Sequence, residues 1–239
     1  TNLQQLNEQS MVLRTCNLMD GDARGAYKTT DFDFRDYGFI EMFVHAEKLL
    51  DEQELNDGDL TLFVRFGSDL TQNYYEYEIP LKFTPWFTSF TEPDVIWPEE
   101  NKLKIDLEKL VNYKLERNKA MRQQGSGVIQ TMPYYVYDGP NKVTILGSPS
   151  LSSVKAIMIG VRNPKQTTLT GNDDGLPKCA EIWVNEFRLT DFNNQGGLAA
   201  TARIRTDLSD FGNLSVSGLY STPGFGSIEK KTNERAKEF

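Results

Sequence analysis

Residues 198–221, LAATARIRTDLSDFGNLSVSGLYS, constrain most tightly what this chain can fold into. In the first arm Leu198, Ala200, Ala202, Ile204, Thr206 and Leu208 share one parity, and Ala199, Thr201, Arg203, Arg205, Asp207 and Ser209 share the other. Successive side chains of a strand point to opposite faces, so this arm has an apolar face and a charged one. Asp210, Phe211, Gly212 and Asn213 carry a turn signal. The second arm alternates again, with Leu214, Val216, Gly218 and Tyr220 against Ser215, Ser217, Leu219 and Ser221. Two such arms fit a hairpin on the outside of a water-soluble sheet. They also fit two neighbouring strands of a transmembrane barrel, which need about 9–11 residues each.

Upstream, periodicity and β-branched or aromatic content predict strands over 11–16, 38–47, 60–66, 73–83, 134–137, 143–146, 154–161 and 181–189. Pro80 is expected to place its strand at an edge or a bend, because it lacks a ladder donor. Segments 20–25, 51–59 and 163–178 read as loops. Leu107, Leu110, Val111 and Leu115 recur at helical spacing behind Asp106, a residue type that caps helices, which predicts a helix over 107–122. The turn residues Asp138, Gly139, Pro140 and Asn141 join two of the strands into a hairpin. About eight antiparallel strands with one inserted helix suit a mainly β fold, a β-sandwich of jelly-roll type as in galactose-binding-like domains. The expected organisation is a lead-in over 1–8, the sandwich over 9–192, a linker over 193–197, the hairpin over 198–221, and a polar tail over 222–239 that is helical or disordered.

Several stretches resemble one family. They are Ala180 to Phe192 (AEIWVNEFRLTDF), Ser221 to Glu229 (STPGFGSIE), Tyr75 to Leu81 (YEYEIPL), Val95 to Asn101 (VIWPEEN) and Val154 to Pro164 (VKAIMIGVRNP). Together they look like the SprA/Sov family, the very large outer-membrane translocon of the type 9 secretion system of Bacteroidota, known also from gliding motility. The resemblance implies an internal fragment of a translocon, its barrel wall plus an attached water-soluble domain, and not a free-standing enzyme. It implies three sets of partners: the rest of the barrel, outer-membrane lipid at the hairpin, and secretion-system subunits with their cargo proteins. In that setting the apolar parity of the hairpin faces lipid. Arg203 and Arg205 then face the lumen, since a cation on the lipid face costs about 2–4 kcal/mol at mid-membrane. Short barrel turns are periplasmic, which puts the preceding sandwich on the extracellular side.

Composition narrows the alternatives. A net charge of −8 and a pI near 4.9 argue against a nucleic-acid partner, whose footprint is a basic patch. Of possible catalytic residues, His45 is the only histidine, so any Ser-His-Asp system must use it, and no nucleophile elbow accompanies it. Acidic residues such as Asp20, Asp22, Asp31, Asp33, Asp51 and Glu52 are too many for spacing to select a glycosidase pair. No catalytic residue and no cofactor is therefore assigned. Asp20 and Asp22, and Asp173 and Asp174, sit in oxygen-rich loops that suit a structural calcium, although neither matches the twelve-residue calcium loop. Gly224 and Gly226 lack the third glycine of a dinucleotide loop, position 229 being Glu. Cys16 and Cys179 are either two buried thiols or a disulfide between the first and last strands of the sandwich. Tyr74, Tyr75, Tyr77, Trp86, Trp97, Tyr134, Tyr135 and Tyr137 serve core packing or, in the alternative reading of the chain as a stand-alone carbohydrate-binding β-sandwich, a sugar platform.

Overall fold

The alternating stretches pair as antiparallel strands. The computed structural model describes residues 10–49, 54–85, 88, 93–166, 174–193, 197–222 and 225. In chain order these are β1 (Met11–Leu18), β2 (Ala23–Phe32), β3 (Tyr37–Lys48), β4 (Thr61–Gly67), β5 (Tyr74–Pro80), α1 (Pro93–Ile96), β6 (Leu103–Asp106) and α2 (Leu107–Arg122). They continue with β7 (Tyr134–Asp138), β8 (Asn141–Leu146), β9 (Val154–Arg162), β10 (Lys178–Phe192), β11 (Ala199–Leu208) and β12 (Gly212–Ser221). The chain divides into two compact units, one ending at Asp191 and one beginning at Phe192.

Among the described residues the first unit holds a four-stranded sheet, β1-β10-β3-β6, and a six-stranded sheet, β2-β9-β4-β5-β8-β7. Both contribute to one hydrophobic cluster. Ile40, Met42, Val44 and Ile182 come from the first sheet, and Leu62, Val64, Tyr75 and Ile145 from the second. Each set occupies alternate positions of its strand, as period-two patterning dictates. Leu107 and Leu110 of α2 join the same cluster, and Asp106 accepts a hydrogen bond from the Lys109 amide at 3.1 Å, capping the helix where the sequence predicts.

Cys16 and Cys179 are joined in a disulfide. Thr15 pairs with Ala180 and Leu18 with Lys178, so Cys16 and Asn17 together oppose Cys179 across a bulge. Asn17 has φ 52° there, and the buried parity changes from Thr15 to Leu18. Glu186 (φ 54°) does the same in β10, where the inward series changes from Ile182 and Val184 to Phe187 and Leu189.

Two sequence expectations are corrected, and one further strand is found. Residues 20–25 are not all loop, since β2 starts at Ala23. Its Arg-Gly-Ala-Tyr-Lys-Thr-Thr content hides it, because it is exposed on nearly every residue and needs no apolar stripe. The four-residue β6 runs straight into α2, and Asp106 both ends the strand and caps the helix, so helical periodicity masks it. Pro80 lies on an interior strand of its sheet. It is tolerated because it is the last residue of β5, beyond the Tyr74 to Glu78 stretch that pairs with β8. The expected lead-in over 1–8 and the tail from 226 onward lie outside the described residues.

Candidate functional site

The second unit is built around the hairpin β11–β12. Its register pairs Ala200 with Tyr220, Ala202 with Gly218, Ile204 with Val216, Thr206 with Leu214 and Leu208 with Gly212. Directly opposed residues of an antiparallel pair lie on the same face. The apolar parities of the two arms therefore meet on one face, which sequence alone leaves open. The other face pairs Arg203 with Ser217, Arg205 with Ser215 and Asp207 with Asn213. The connection is a short 3-10 turn, Ser209–Phe211, followed by Gly212 at φ 118°.

No part of this apolar face is buried. Ile204 is 65% exposed, Leu214 and Val216 54%, Tyr220 65% and Phe211 at the tip 96%. These residues form one regular row rather than the scatter of single apolar residues found on any protein surface. Arg203 and Arg205 are exposed on the opposite face.

The chemically reactive side chains of the first unit are engaged in packing. His45 is 7% exposed, sits against the rings of Trp97 and Trp183, and donates from Nδ1 to the Ile96 carbonyl at 2.7 Å. The adjacent Thr84 hydroxyl donates to the Val95 carbonyl at 3.2 Å, so its proton is already committed. Asp20 accepts from the Gln166 amide at 2.8 Å. Asp22 is exposed. Asp174 accepts from the Leu176 amide and from Lys178, while Asp173 lies outside the described residues. Among the described residues no three His, Cys, Asp or Glu side chains come together as a metal site.

Two buried charge clusters were missed by sequence reasoning. On the outer face of the six-stranded sheet, Glu76 takes Arg65 at 2.6 Å and Arg162 at 3.0 Å, and Glu78 takes Arg162 and Lys142. Arg162 also stacks on Phe63. Burial lowers the Arg162 pKa, but the Glu76 and Glu78 carboxylates outweigh it and raise it. Lys178 is 2% exposed and bridges Asp59 at 3.2 Å and Asp174 at 2.8 Å. Burial pulls its pKa down, and the two carboxylates more than restore it. The alternation of charges in YEYEIP is the one sequence trace of the first cluster, since Glu76 and Glu78 share a face opposite Tyr75 and Tyr77.

The described aromatic residues do not form one platform. Tyr74, Tyr75 and Tyr77 are buried, Tyr134 and Trp97 half-buried, and Trp86 lies outside the described residues. Tyr135 and Tyr137 are exposed on β7. A family model described as motility related/secretion protein matches residues 1–239. No curated protein matches the chain.

Proposed function

The chain belongs to the SprA_N family of motility related/secretion proteins, and from that premise we propose that it is a non-catalytic structural segment of an outer-membrane secretion translocon, of the type 9 kind that serves gliding motility. In this reading β11 and β12 are two adjacent strands of the barrel wall. The first unit is a jelly-roll, galactose-binding-like sandwich carried on that wall at the cell surface. Strands that alternate between two antiparallel sheets around one core support the sandwich part of the reading.

The observation that carries the proposal is the two-faced hairpin. Its ten-rung ladder gathers Ala200, Ala202, Ile204, Leu214, Val216 and Tyr220 on one uncovered face and puts Arg203 and Arg205 on the other. That is the lipid-out, polar-in division of a barrel strand pair. The short turn at 209–211 supports a periplasmic tip, with the sandwich on the extracellular side. The partners are the neighbouring barrel strands, outer-membrane lipid, and the secretion subunits and cargo that the family description suggests. The reading assigns no cofactor; of the calcium candidates, Asp20 accepts from the Gln166 amide and Asp174 pairs with Lys178.

Single cysteines at Ile204 and Arg205, placed in the full parent protein in cells, test this. Cys16 and Cys179 are bonded to each other and stay silent to thiol reagents, and the parent without the added cysteine sets the background. Ile204→Cys is expected to react with a lipid-phase probe and resist a water-soluble one, and Arg205→Cys to do the reverse. Equal labelling of both from water would overturn the barrel reading. A cysteine in the exposed loop 125–127, labelled on intact cells by an impermeant reagent, tests the orientation.

A further inference from the structure

The six-stranded sheet ends in β2, which pairs with β9 alone among the described residues. Its opposite edge is a run of ten residues, about 33 Å of backbone at about 3.3 Å per residue, whose outward donors and acceptors meet no other strand among the described residues.

The register fixes what β2 turns inward. Val161, Ile159 and Ile157 of β9 align with Leu62, Val64 and Phe66 of β4, which are core residues. The same three align with Arg24, Ala26 and Lys28 of β2. Opposed residues share a face, so β2 carries two cations and one alanine where its neighbours carry Leu, Val, Ile and Phe. All three are exposed. The gap between the sheets stays open at this end as a groove of about 640 Å³. Its walls are Met11, Phe34, Ile157, Ile159, Phe187 and Leu189, with Lys28 at the β2 side. No hydrogen bond or ion pair engages the Arg24 or Lys28 side chain among the described residues. Asp31 nearby is held by Lys155 at 3.1 Å.

We propose that the open edge of β2 receives one extended polypeptide strand from a partner, whose inward apolar side chain fills the groove beside Ala26 and whose acidic residues meet Arg24 and Lys28. A small apolar ligand would satisfy the groove and leave the ladder edge and the cations to water. A strand satisfies all three at once, by the same strand addition that sheet-edge peptide receptors use. The spacing defines the partner. Residues opposite Arg24, Ala26 and Lys28 are two apart, so the inserted strand reads acidic-x-apolar-x-acidic. That pattern is the same in both directions and serves parallel or antiparallel addition.

The test uses the full chain and the capped peptide Thr-Glu-Thr-Phe-Thr-Glu-Thr, followed by fluorescence anisotropy. Saturable binding is expected. Methylation of the peptide nitrogens on one edge keeps every side chain and removes the strand donors, and is expected to weaken binding about tenfold or more. The double change Arg24→Glu and Lys28→Glu, on exposed positions outside the core, is expected to weaken it about tenfold. The same variant should prefer a peptide with Lys in place of Glu, which a misfolded variant would not do. Three results would each overturn the proposal: no saturable binding, equal binding of the methylated peptide, or no charge-swap preference. A concentration-dependent dimer that excludes the peptide assigns the edge to a second copy and also overturns it.

Discussion

Two hairpins in this molecule share one pattern and differ in what covers it. In β4–β5 the inward residues Leu62, Val64, Phe66, Tyr75, Tyr77 and Ile79 are no more than 3% exposed, flanked by β9 on one side and β8 on the other. In β11–β12 the apolar residues alternate just as regularly, yet Ile204, Leu214 and Val216 are more than half exposed. The turns differ in the same sense. Between β4 and β5 the Asp69 carboxylate accepts the amides of Thr71, Gln72 and Asn73, at 2.9, 2.5 and 3.1 Å, and the Asn73 side chain at 2.8 Å. The 209–211 turn has no side-chain cap, and Phe211 stands 96% exposed. Alternation therefore names the face that avoids water and says nothing about the source of its cover. The first hairpin is closed by its own domain. Among the described residues the second is a two-stranded ribbon, a kind that is marginal by itself in water.

The largest break in this comparison comes from the closed hairpin. Phe66 contacts the Phe34 and Tyr75 rings in the core, at centroid separations of 5.7 and 5.9 Å. Phe66→Ala is expected to cost about 3–5 kcal/mol, the range for emptying a buried aromatic site. Urea unfolding of the full chain, followed by tryptophan fluorescence, measures it. A loss below about 1 kcal/mol would mean that the two sheets do not share one tightly packed core.

A smaller effect belongs to the turn. Burial pushes the Asp69 pKa up, but the hydrogen bonds from Asn73, Gln72 and Thr71 win and hold it well below the usual carboxylate range. A folded-state pKa below the unfolded one gives stability that is present above the unfolded value, about 4, and is lost as pH falls through and below it. Asp69→Ala is expected to cost about 1–2 kcal/mol at pH 6. The gap between wild type and variant should narrow at pH 3. A gap that is constant with pH would trace the loss to packing rather than to the carboxylate.

Much of the first unit was legible because its strands are one-sided. The helix from Leu107, the hairpin around residues 138–141 and the aromatic parity of Tyr75 and Tyr77 all follow from period and capping chemistry. What stayed hidden has physical reasons. β2 lacks an apolar stripe, and it is exposed on nearly every residue. Single left-handed residues, Asn17 and Glu186, change the inward parity within β1 and β10; Asn tolerates that conformation without demanding it, and nothing in Glu announces it. The choice between thiols and a disulfide depends on a bulge that brings Cys16 and Asn17 opposite Cys179, again a matter of register. For the hairpin, both faces could be read from the sequence, but the matching of the two arms waited on the Leu208 to Gly212 rung that sets all the others.

The smallest expected effect is the sharpest probe of the open hairpin. Ile204 sits mid-ladder opposite Val216 and is 65% exposed, so the full chain in water gives it little to lose. Ile204→Ala is expected to change the unfolding free energy by no more than about 0.5 kcal/mol, the range for surface positions without a special role. Urea unfolding of the same chain in the same solvent measures it, followed by far-UV circular dichroism, which reads the strands of both units. A cost above about 1 kcal/mol would mean that an apolar surface covers Ile204 in the water-soluble chain, and the contrast between the hairpins would vanish. In a barrel wall the same position answers to a different solvent, where Ile204→Arg is expected to cost about 2–4 kcal/mol while Arg205→Ser on the polar face costs far less. A residue silent in water and critical in a bilayer is covered by lipid, and that pair of measurements separates a barrel strand from a surface ribbon.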